Sequence, residues 1–197
     1  MAHGAWRCMY CDDSLGTDID HFQPLKLAPL RAFVWANHLL ACSNCNSNSK
    51  RDQYPLASDG TCLLIDPTTE DPADHLVLML RTGVYGHLTD KGEATIDVFH
   101  LNRPDLVAGR KDAYCTARSV ILSWYEMRSD GDPDADSTAK ALLRSPFVDV
   151  VYAMARLAPH VAEAVIGARF VPAVQQWRSV YGTVPAARVQ TARIGAP

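Results

Sequence analysis

The sequence of 197 residues has no uninterrupted apolar run approaching the roughly 20 residues that a membrane-spanning helix needs. It has no internal repeat and no glycine-rich phosphate loop. Its first residues do not follow the pattern of a secretory signal peptide. We therefore expect a cytoplasmic protein without membrane contact, and we exclude repeat arrays and P-loop nucleotide-binding proteins.

Positive charge is also scarce for a protein that would bind nucleic acid unaided, because such proteins are often basic. The formal net charge is −3, divided as 0 over residues 1–55, −8 over residues 56–139 and +5 over residues 140–197. Non-specific affinity for DNA comes mainly from the neutralisation of phosphates. We therefore expect weak autonomous binding, so that either the basic C-terminal part or a partner subunit helps to hold a substrate.

Four of the six cysteines form two C-x2-C pairs, Cys8/Cys11 and Cys42/Cys45. Two residues between cysteines let both sulfurs reach one ion at about 2.3 Å, and four thiolates suit tetrahedral Zn²⁺. The alternatives are two disulfides, which would need an oxidising compartment, or buried thiols in a core. We predict a structural zinc site and expect Cys62 and Cys115 to be buried free thiols.

Polar residues with catalytic potential lie between and after the two cysteine pairs. Asp20 and His21 follow a short strand-like run, which Pro24 should end close to His21. Histidine is the usual general base near neutral pH, and a carboxylate is a hard ligand suited to Mg²⁺ or Mn²⁺. Asn46, Asn48 and Lys50 follow the second pair, where we expect a short helix.

The order of these residues resembles that of the HNH (ββα-metal) nucleases over about the first quarter of the chain. The shared features are the two cysteine pairs, Asp20-His21 with Pro24, the central Asn37, and Asn46 with a following Lys50. Residues 64–67, residues 101–106 and Arg110 resemble, more loosely, HNH proteins of bacterial anti-phage systems such as the Septu and retron-associated nucleases.

The resemblance implies a role for each matching residue. His21 would activate water, Asp20 would bind the catalytic Mg²⁺ or Mn²⁺, and Asn37 would hold the loop that orients His21. His38, beside Asn37, is a less favoured second catalytic histidine.

The last metal ligand of the family corresponds to Asn46. The family often has two residues between this ligand and the lysine, whereas three separate Asn46 from Lys50 here. Asn48 is therefore the alternative ligand. Lys50 and Arg51 would either contact nucleic-acid phosphates or simply occupy a helix C-terminus, where the helix dipole favours cations.

We predict an α+β protein with a zinc-stapled ββα-metal module at residues 1–56 and a β-hairpin and helical extension at residues 57–197. Short strands are expected at 62–65, 76–80, 84–88 and 95–99, and a helix at 104–128. Two or three more helices are expected over residues 138–158 and 159–181, broken at Pro146, Pro159 and Pro172, before a frayed tail after Tyr181. Asn102 or Asp105 would cap the first of these helices, and Arg110, Arg118 and Arg128 would lie on its basic face.

By resemblance, the function is metal-dependent endonucleolytic hydrolysis of DNA in an anti-phage system. Because the chain has no ATPase or sensor motif, we expect a partner subunit, an ATPase or a sensor, to control it. The alternatives are a non-catalytic zinc module that binds nucleic acid or protein, and an HNH nuclease that acts on RNA.

Overall fold

The computed structural model describes residues 6–183 and confirms the predicted α+β class. The predicted tail from residue 184 onward lies outside the described residues. Four short strands form two separate antiparallel hairpins: β1 (Asp18–His21) with β2 (His38–Ala41), and β3 (Leu76–Met79) with β4 (Val84–His87). The α-helices are α1 (Asp90–Phe99), α2 (Pro104–Ser129), α3 (Ala135–Leu143), α4 (Val148–Arg156), α5 (Pro159–Ile166) and α6 (Val171–Tyr181).

The first hairpin carries the polar residues singled out in the sequence. Its register places Asp18 opposite Ala41 and His21 opposite His38. The first cysteine pair precedes β1 and is attached to β2, since Met9 N–H donates to the carbonyl oxygen of Leu40 at 2.9 Å. A seven-residue π-helix, Asn44–Lys50, follows β2 and packs against both β1 and α1.

The second hairpin follows the prediction for residues 76–88, but two other expected strands are absent from the described residues. Residues 95–99 lie in α1 instead. The Thr89 side chain caps this helix by accepting a hydrogen bond from Gly92 N–H, and Asp90 and Glu93 in its first turn are favoured by the helix dipole. Cys62 makes only an isolated bridge to Leu56.

Helix α2 begins as predicted, at Pro104, but neither expected cap holds it. The Asn102 side chain instead bonds both the N–H and the carbonyl oxygen of Tyr85, each at 2.8 Å. Arg110 does not lie on a basic face: it is buried, donates to the carbonyl oxygens of Gly83 and Leu101, and stacks over the Tyr85 ring at 4.6 Å.

One continuous buried core runs from the cysteine pairs to α6. Helices α3, α4 and α6 pack on α2, where Trp124 meets Trp177 at 5.0 Å between ring centroids. The N-terminal part joins this core directly, because Phe147 N–H donates to the carbonyl oxygen of Asp12 at 3.0 Å. The domain boundary near residue 56 stays a prediction. Cys62 is half-buried, and Cys115 is exposed, which differs from the expected buried thiol.

No helix within residues 6–183 combines the length and the apolar character that crossing a membrane requires.

Candidate functional site

The four paired cysteines converge on one point. Their sulfur atoms all lie within 4.8 Å of one another, all four residues are buried, and the Sγ atoms of Cys11 and Cys42 are 3.9 Å apart. A tetrahedral ion at about 2.3 Å from each sulfur would separate the sulfurs by about 3.8 Å. All six cysteines are free. The group could therefore hold a metal ion such as zinc, as the sequence predicts.

The electrostatics of this cluster favour a bound cation. Hydrogen bonds with the neighbouring cysteines hold the pKa of Cys42 far below its ordinary value, and the one with Cys11 has the largest effect. Hydrogen bonds with Cys11, Cys42 and Cys8, together with burial, raise the pKa of Cys45 far above its ordinary value. Four ionised thiols in this space need a positive charge at their centre, which Zn²⁺ would supply.

Tyr10 connects the cysteine cluster to the proposed catalytic carboxylate. It lies between Cys8 and Cys11, its ring stacks on Phe99 with 3.9 Å between centroids, and its hydroxyl donates to Asp20 Oδ2. Burial raises the pKa of Tyr10 well above its ordinary value, and the Asp20 carboxylate raises it further. The hydroxyl therefore keeps its proton at neutral pH and remains a donor to Asp20.

Lys50 provides the second partner of Asp20. Its Nζ lies 3.0 Å from Asp20 Oδ1 and 2.8 Å from the carbonyl oxygen of His21, and its side chain has no exposed surface. Two buried opposite charges compensate each other where either alone would be costly. Lys50 is thus the last residue of the π-helix, as one of its two predicted roles requires. Its side chain is buried, away from the other predicted role of phosphate contact, because the buried Asp20 carboxylate needs a cation.

His21 ends β1, as expected from Pro24, and its ring is half-buried. The ring meets that of His38 on β2 edge to face, at 4.8 Å between centroids and an interplanar angle of 65°. His38 Nδ1 lies 2.9 Å from the carbonyl oxygen of Val34, so this nitrogen carries the proton. The His21 ring itself has no hydrogen bond to any residue in the described part of the chain, which leaves its nitrogens open to a ligand.

Asn37 fastens the chain that follows His21. Its Oδ1 accepts from Gln23 N–H at 2.8 Å, and its Nδ2 donates to the carbonyl oxygen of Gln23 at 3.1 Å. The carbonyl oxygen of Asn37 accepts from Phe22 N–H at 2.9 Å. With its side chain buried, Asn37 fixes the two residues directly after His21. That this orients the His21 ring stays a prediction.

The π-helix accommodates the extra residue between Asn46 and Lys50. Its wide turn is closed by the i→i+5 hydrogen bond from Arg51 N–H to the carbonyl oxygen of Asn46, at 2.8 Å. At about 4.4 residues per turn, Asn46 lies on nearly the same face as Lys50, whereas Asn48 lies on the opposite face. Asn48 is exposed and Asn46 is half-buried. Asn46 therefore shares the helix face that carries Lys50, whereas Asn48 does not.

Arg51 stays at the surface, as a residue that contacts nucleic acid must. Its backbone has a positive φ of 50°, which is uncommon for a residue with a side chain, and its Nε donates to the carbonyl oxygen of Ser47 at 3.2 Å. Part of its guanidinium group is left for solvent or a ligand.

The structure thus brings some of the predicted site residues into contact and leaves others apart. Asp20 meets Lys50 directly, but no hydrogen bond between described residues joins the Asp20 carboxylate to the His21 ring or to Asn46. Neighbouring residues of a strand point to opposite faces, which separates Asp20 from His21. Tyr10 was missed, although its position between two zinc-ligand cysteines is a signal that the sequence offers.

Asp20 and Asn46 still suit a hard divalent cation. A carboxylate has about four lone-pair positions, and the donors Tyr10 and Lys50 occupy two of those on Asp20. The Asn46 side chain makes no hydrogen bond to another described residue. Two oxygen ligands are enough for Mg²⁺, which commonly keeps several of its water molecules.

Comparison with known proteins finds similarity to two bacterial relatives. The chain is 25% identical to the Septu protein PtuB of Bacillus mycoides (strain KBAB4) over 169 residues, covering 70% of this chain and 54% of that protein. It is 30% identical to the Septu protein PtuB of Bacillus thuringiensis over 104 residues, covering 50% of this chain and 38% of that protein. The chain thus matches about half the length of these relatives or less.

No family model and no solved structure matches the chain.

Proposed function

We propose that the chain is a metal-dependent HNH endonuclease that hydrolyses phosphodiester bonds of DNA in a bacterial anti-phage system. The observation that carries the proposal is the hairpin beside the cysteine cluster, which ends β1 at His21 and fixes the following chain through Asn37. The similarity to Septu proteins supports the defence role. It also supports a partner protein, which we propose to be an ATPase or sensor subunit.

In this mechanism, His21 acts as the general base. Its ring nitrogens are free of hydrogen bonds to the described residues, and a neutral imidazole can take a proton from an attacking water. Asn37 keeps the backbone after His21 from shifting, so that the ring has one position from which to accept that proton.

Asp20 and Asn46 would hold a Mg²⁺ or Mn²⁺ ion. That ion would neutralise the scissile phosphate and the leaving oxygen, which is the electrostatic part of phosphodiester hydrolysis. Tyr10 and Lys50 hold the Asp20 carboxylate in a single orientation. The cysteine-bound zinc would be structural, because its four sulfur ligands leave no open coordination position.

One observation favours a second candidate, a non-catalytic zinc module that binds nucleic acid or protein. Both oxygens of Asp20 already have partners inside the protein, as a purely structural ion pair would. Under this alternative, changes at His21 would leave the biological activity unaltered.

Plasmid cleavage with Mg²⁺, Mn²⁺ or Ni²⁺ tests the proposal. We expect His21→Ala to lower the rate by a factor of about 10² to 10⁴, the usual contribution of a general base, while zinc content is unchanged. His160→Ala, at an exposed histidine at the start of α5, is the matched control and should cleave like wild type. Equal cleavage by the His21 variant would exclude the proposed role of His21.

Two further experiments distinguish the remaining hypotheses on the substrate and on the partner. An RNA substrate of matched length distinguishes a DNA nuclease from an RNA nuclease. A pull-down from the native host tests the partner: we expect an ATPase or sensor subunit, and full cleavage by the isolated chain with no such protein recovered would exclude partner control.

A further inference from the structure

An unusual concentration of exposed apolar side chains lies between His21 and Asn37. Among the described residues, five of the large apolar side chains that face solvent fall within residues 27–35, which we call the apolar loop: Leu27, Leu30, Phe33, Val34 and Trp35. Phe33 is 86% exposed and Trp35 is 75% exposed. Single exposed apolar residues are ordinary, but a cluster of this kind marks a binding surface.

The apolar loop is held in place by hydrogen bonds on both sides. Two short 3₁₀ turns, Pro29–Phe33 and Trp35–Asn37, give it a defined backbone. The carbonyl oxygen of Val34 accepts from His38 Nδ1 at 2.9 Å, and Arg31 Nε donates to Gln23 Oε1 at 2.9 Å. The exposed rings are therefore presented by a preformed surface, which lowers the entropic cost of binding a ligand.

The charge around the apolar loop fits a polyanion. Residues 21–51 contain no aspartate or glutamate and contain four cations, whereas the following residues 56–139 carry a net charge of −8. Three of those cations, Lys26, Arg31 and Arg51, are exposed. Lys26 lies 4.0 Å from Asp52, whereas Arg31 and Arg51 form no ion pair with a described residue. Interleaved cations and aromatic rings are the pattern with which proteins bind single-stranded nucleic acid.

The apolar loop is also close to the proposed general base. The Trp35 and His38 rings lie 6.4 Å apart, and His38 lies 4.8 Å from His21, so the rings of Trp35 and His21 are separated by about 11 Å at most. Stacked nucleotides advance by about 3.4 Å each along a strand. A base on Trp35 would therefore lie within about three nucleotides of a phosphate at His21.

We propose that Trp35 and Phe33 stack on unpaired bases of a nucleic acid strand whose phosphates pass Arg31 and reach His21. The inference rests on the proposed nuclease function and specifies its substrate as a single strand, or a duplex with unpaired bases beside the cut. In an intact duplex each base face is covered by its neighbours, so the rings would have nothing to stack on. Stacking would also supply affinity that this weakly charged chain lacks.

Binding of labelled oligonucleotides to the full zinc-loaded chain with His21→Ala, which prevents cleavage, tests the proposal by fluorescence anisotropy. We expect tighter binding of a thymidine 20-mer than of a duplex of equal length. Adding Trp35→Ala should weaken single-strand binding by about tenfold or more, and Trp35→Phe should restore most of it. Trp6→Ala, at a tryptophan that is 76% exposed and lies outside the apolar loop, should leave binding unchanged.

The salt dependence separates stacking from phosphate contact. Trp35→Ala should leave the slope of log affinity against log salt unaltered, because no counterion release is lost, whereas Arg31→Ala should reduce it by about one. Single-strand binding that is absent, or that is insensitive to Trp35→Ala, would overturn the proposal. The second result would assign the apolar loop to a protein partner instead.

The proposed function can fail separately. If Trp35-dependent binding of single strands is found but the wild-type chain cleaves no nucleic acid, the nuclease proposal is wrong and the stacking surface stands. If the wild-type chain cleaves duplex and single strand equally and Trp35→Ala changes neither rate nor binding, the substrate assignment is wrong and the nuclease stands.

Discussion

Lys50 and Asp20 form a fully buried ion pair, with 3.0 Å between Nζ and Oδ1, although 30 positions separate them in the sequence. The pair joins the end of β1 to the last residue of the π-helix. It therefore fixes the position of the helix on the hairpin and of the carboxylate between them.

Removing one member of this pair should be strongly destabilising. Lys50→Met keeps the volume of the side chain but leaves a buried carboxylate with only the Tyr10 hydroxyl as partner. We expect unfolding to become easier by about 3–5 kcal/mol, measured by urea denaturation of the zinc-loaded protein. Lys26→Met is the control, since Lys26 pairs with Asp52 at the surface, at 4.0 Å, and should change little.

A double variant separates the ion pair from other effects of the Lys50 side chain. Asp20→Asn combined with Lys50→Met should be less destabilised than the sum of the two single variants, because no unpaired charge remains. Strict additivity, or a stable Lys50→Met protein, would contradict the buried pair.

The cysteine cluster predicts one zinc ion per chain. Cys42→Ser should lower the zinc content and the thermal midpoint together, because metal binding and folding of this small hairpin are coupled. Cys115→Ser, at an exposed cysteine on α2, should retain both. Elemental analysis and thermal unfolding of the two variants make the comparison, and full zinc content in Cys42→Ser would be evidence against the four-cysteine site.

The two asparagines of the π-helix should differ in their effect on the catalytic ion. Asn46→Ala should raise the Mg²⁺ or Mn²⁺ concentration needed for half-maximal cleavage, because it removes an oxygen ligand from the face that carries Lys50. Asn48→Ala, on the opposite and exposed face, should leave that concentration unchanged. A metal titration of cleavage at fixed substrate distinguishes them, and the reverse order would make Asn48 the ligand.

The stability should also depend on the protonation of Asp149, which lines a cavity of about 130 Å³ together with Asp12 and Tyr85. Burial raises the pKa of Asp149 above its usual range, with Tyr85 and Arg110 opposing the rise. The folded chain thus binds this proton more tightly than the unfolded chain. The protonated Asp149 therefore contributes fully to the free energy of unfolding below about pH 3.9, the pKa of an aspartate in the unfolded chain. This contribution is lost as pH rises through the pKa of Asp149 in the folded chain.

Asp149→Asn removes this titration. The free energy of unfolding of the variant, relative to wild type, should therefore increase as pH rises from about 4, by at most about 1.4 kcal/mol per pH unit. Urea denaturation at matched pH values measures the difference, in which the pH dependence of zinc binding cancels. Asp112→Asn, at an exposed position on α2, should show no such trend.

The sequence was sufficient where spacing alone determines the structure. Two C-x2-C pairs predicted the four-cysteine cluster, and Pro24 predicted that β1 would end near His21. The sequence was insufficient where a contact between residues far apart in the chain determines whether a side chain is buried. Lys50 ends an asparagine-rich helix and was expected to contact phosphate or to occupy the helix C-terminus, but its side chain is buried against the Asp20 carboxylate.

Similar reasons explain the differences in the second half of the chain. Residues 95–99 are rich in β-branched side chains, yet the cap at Thr89 and the packing of α1 against the π-helix make them helical. Arg110 shares a helix with exposed cations, but the free carbonyl oxygens of Gly83 and Leu101 bind it in the interior. The cap and tertiary packing thus decide the element at residues 95–99, and tertiary contacts decide the burial of Arg110.

The hydroxyl of Tyr10 links the cysteine cluster to the Asp20 carboxylate. Because Tyr10 stands between two cysteines of the cluster, the loop that would wrap the zinc ion is the same loop that steadies Asp20. Removal of the ion should therefore loosen this loop and the Tyr10 hydrogen bond that orients the Asp20 carboxylate, even if helices α2 to α6 stay folded. Under the proposed nuclease function, chelators and thiol oxidants should therefore abolish cleavage at concentrations too low to unfold the protein.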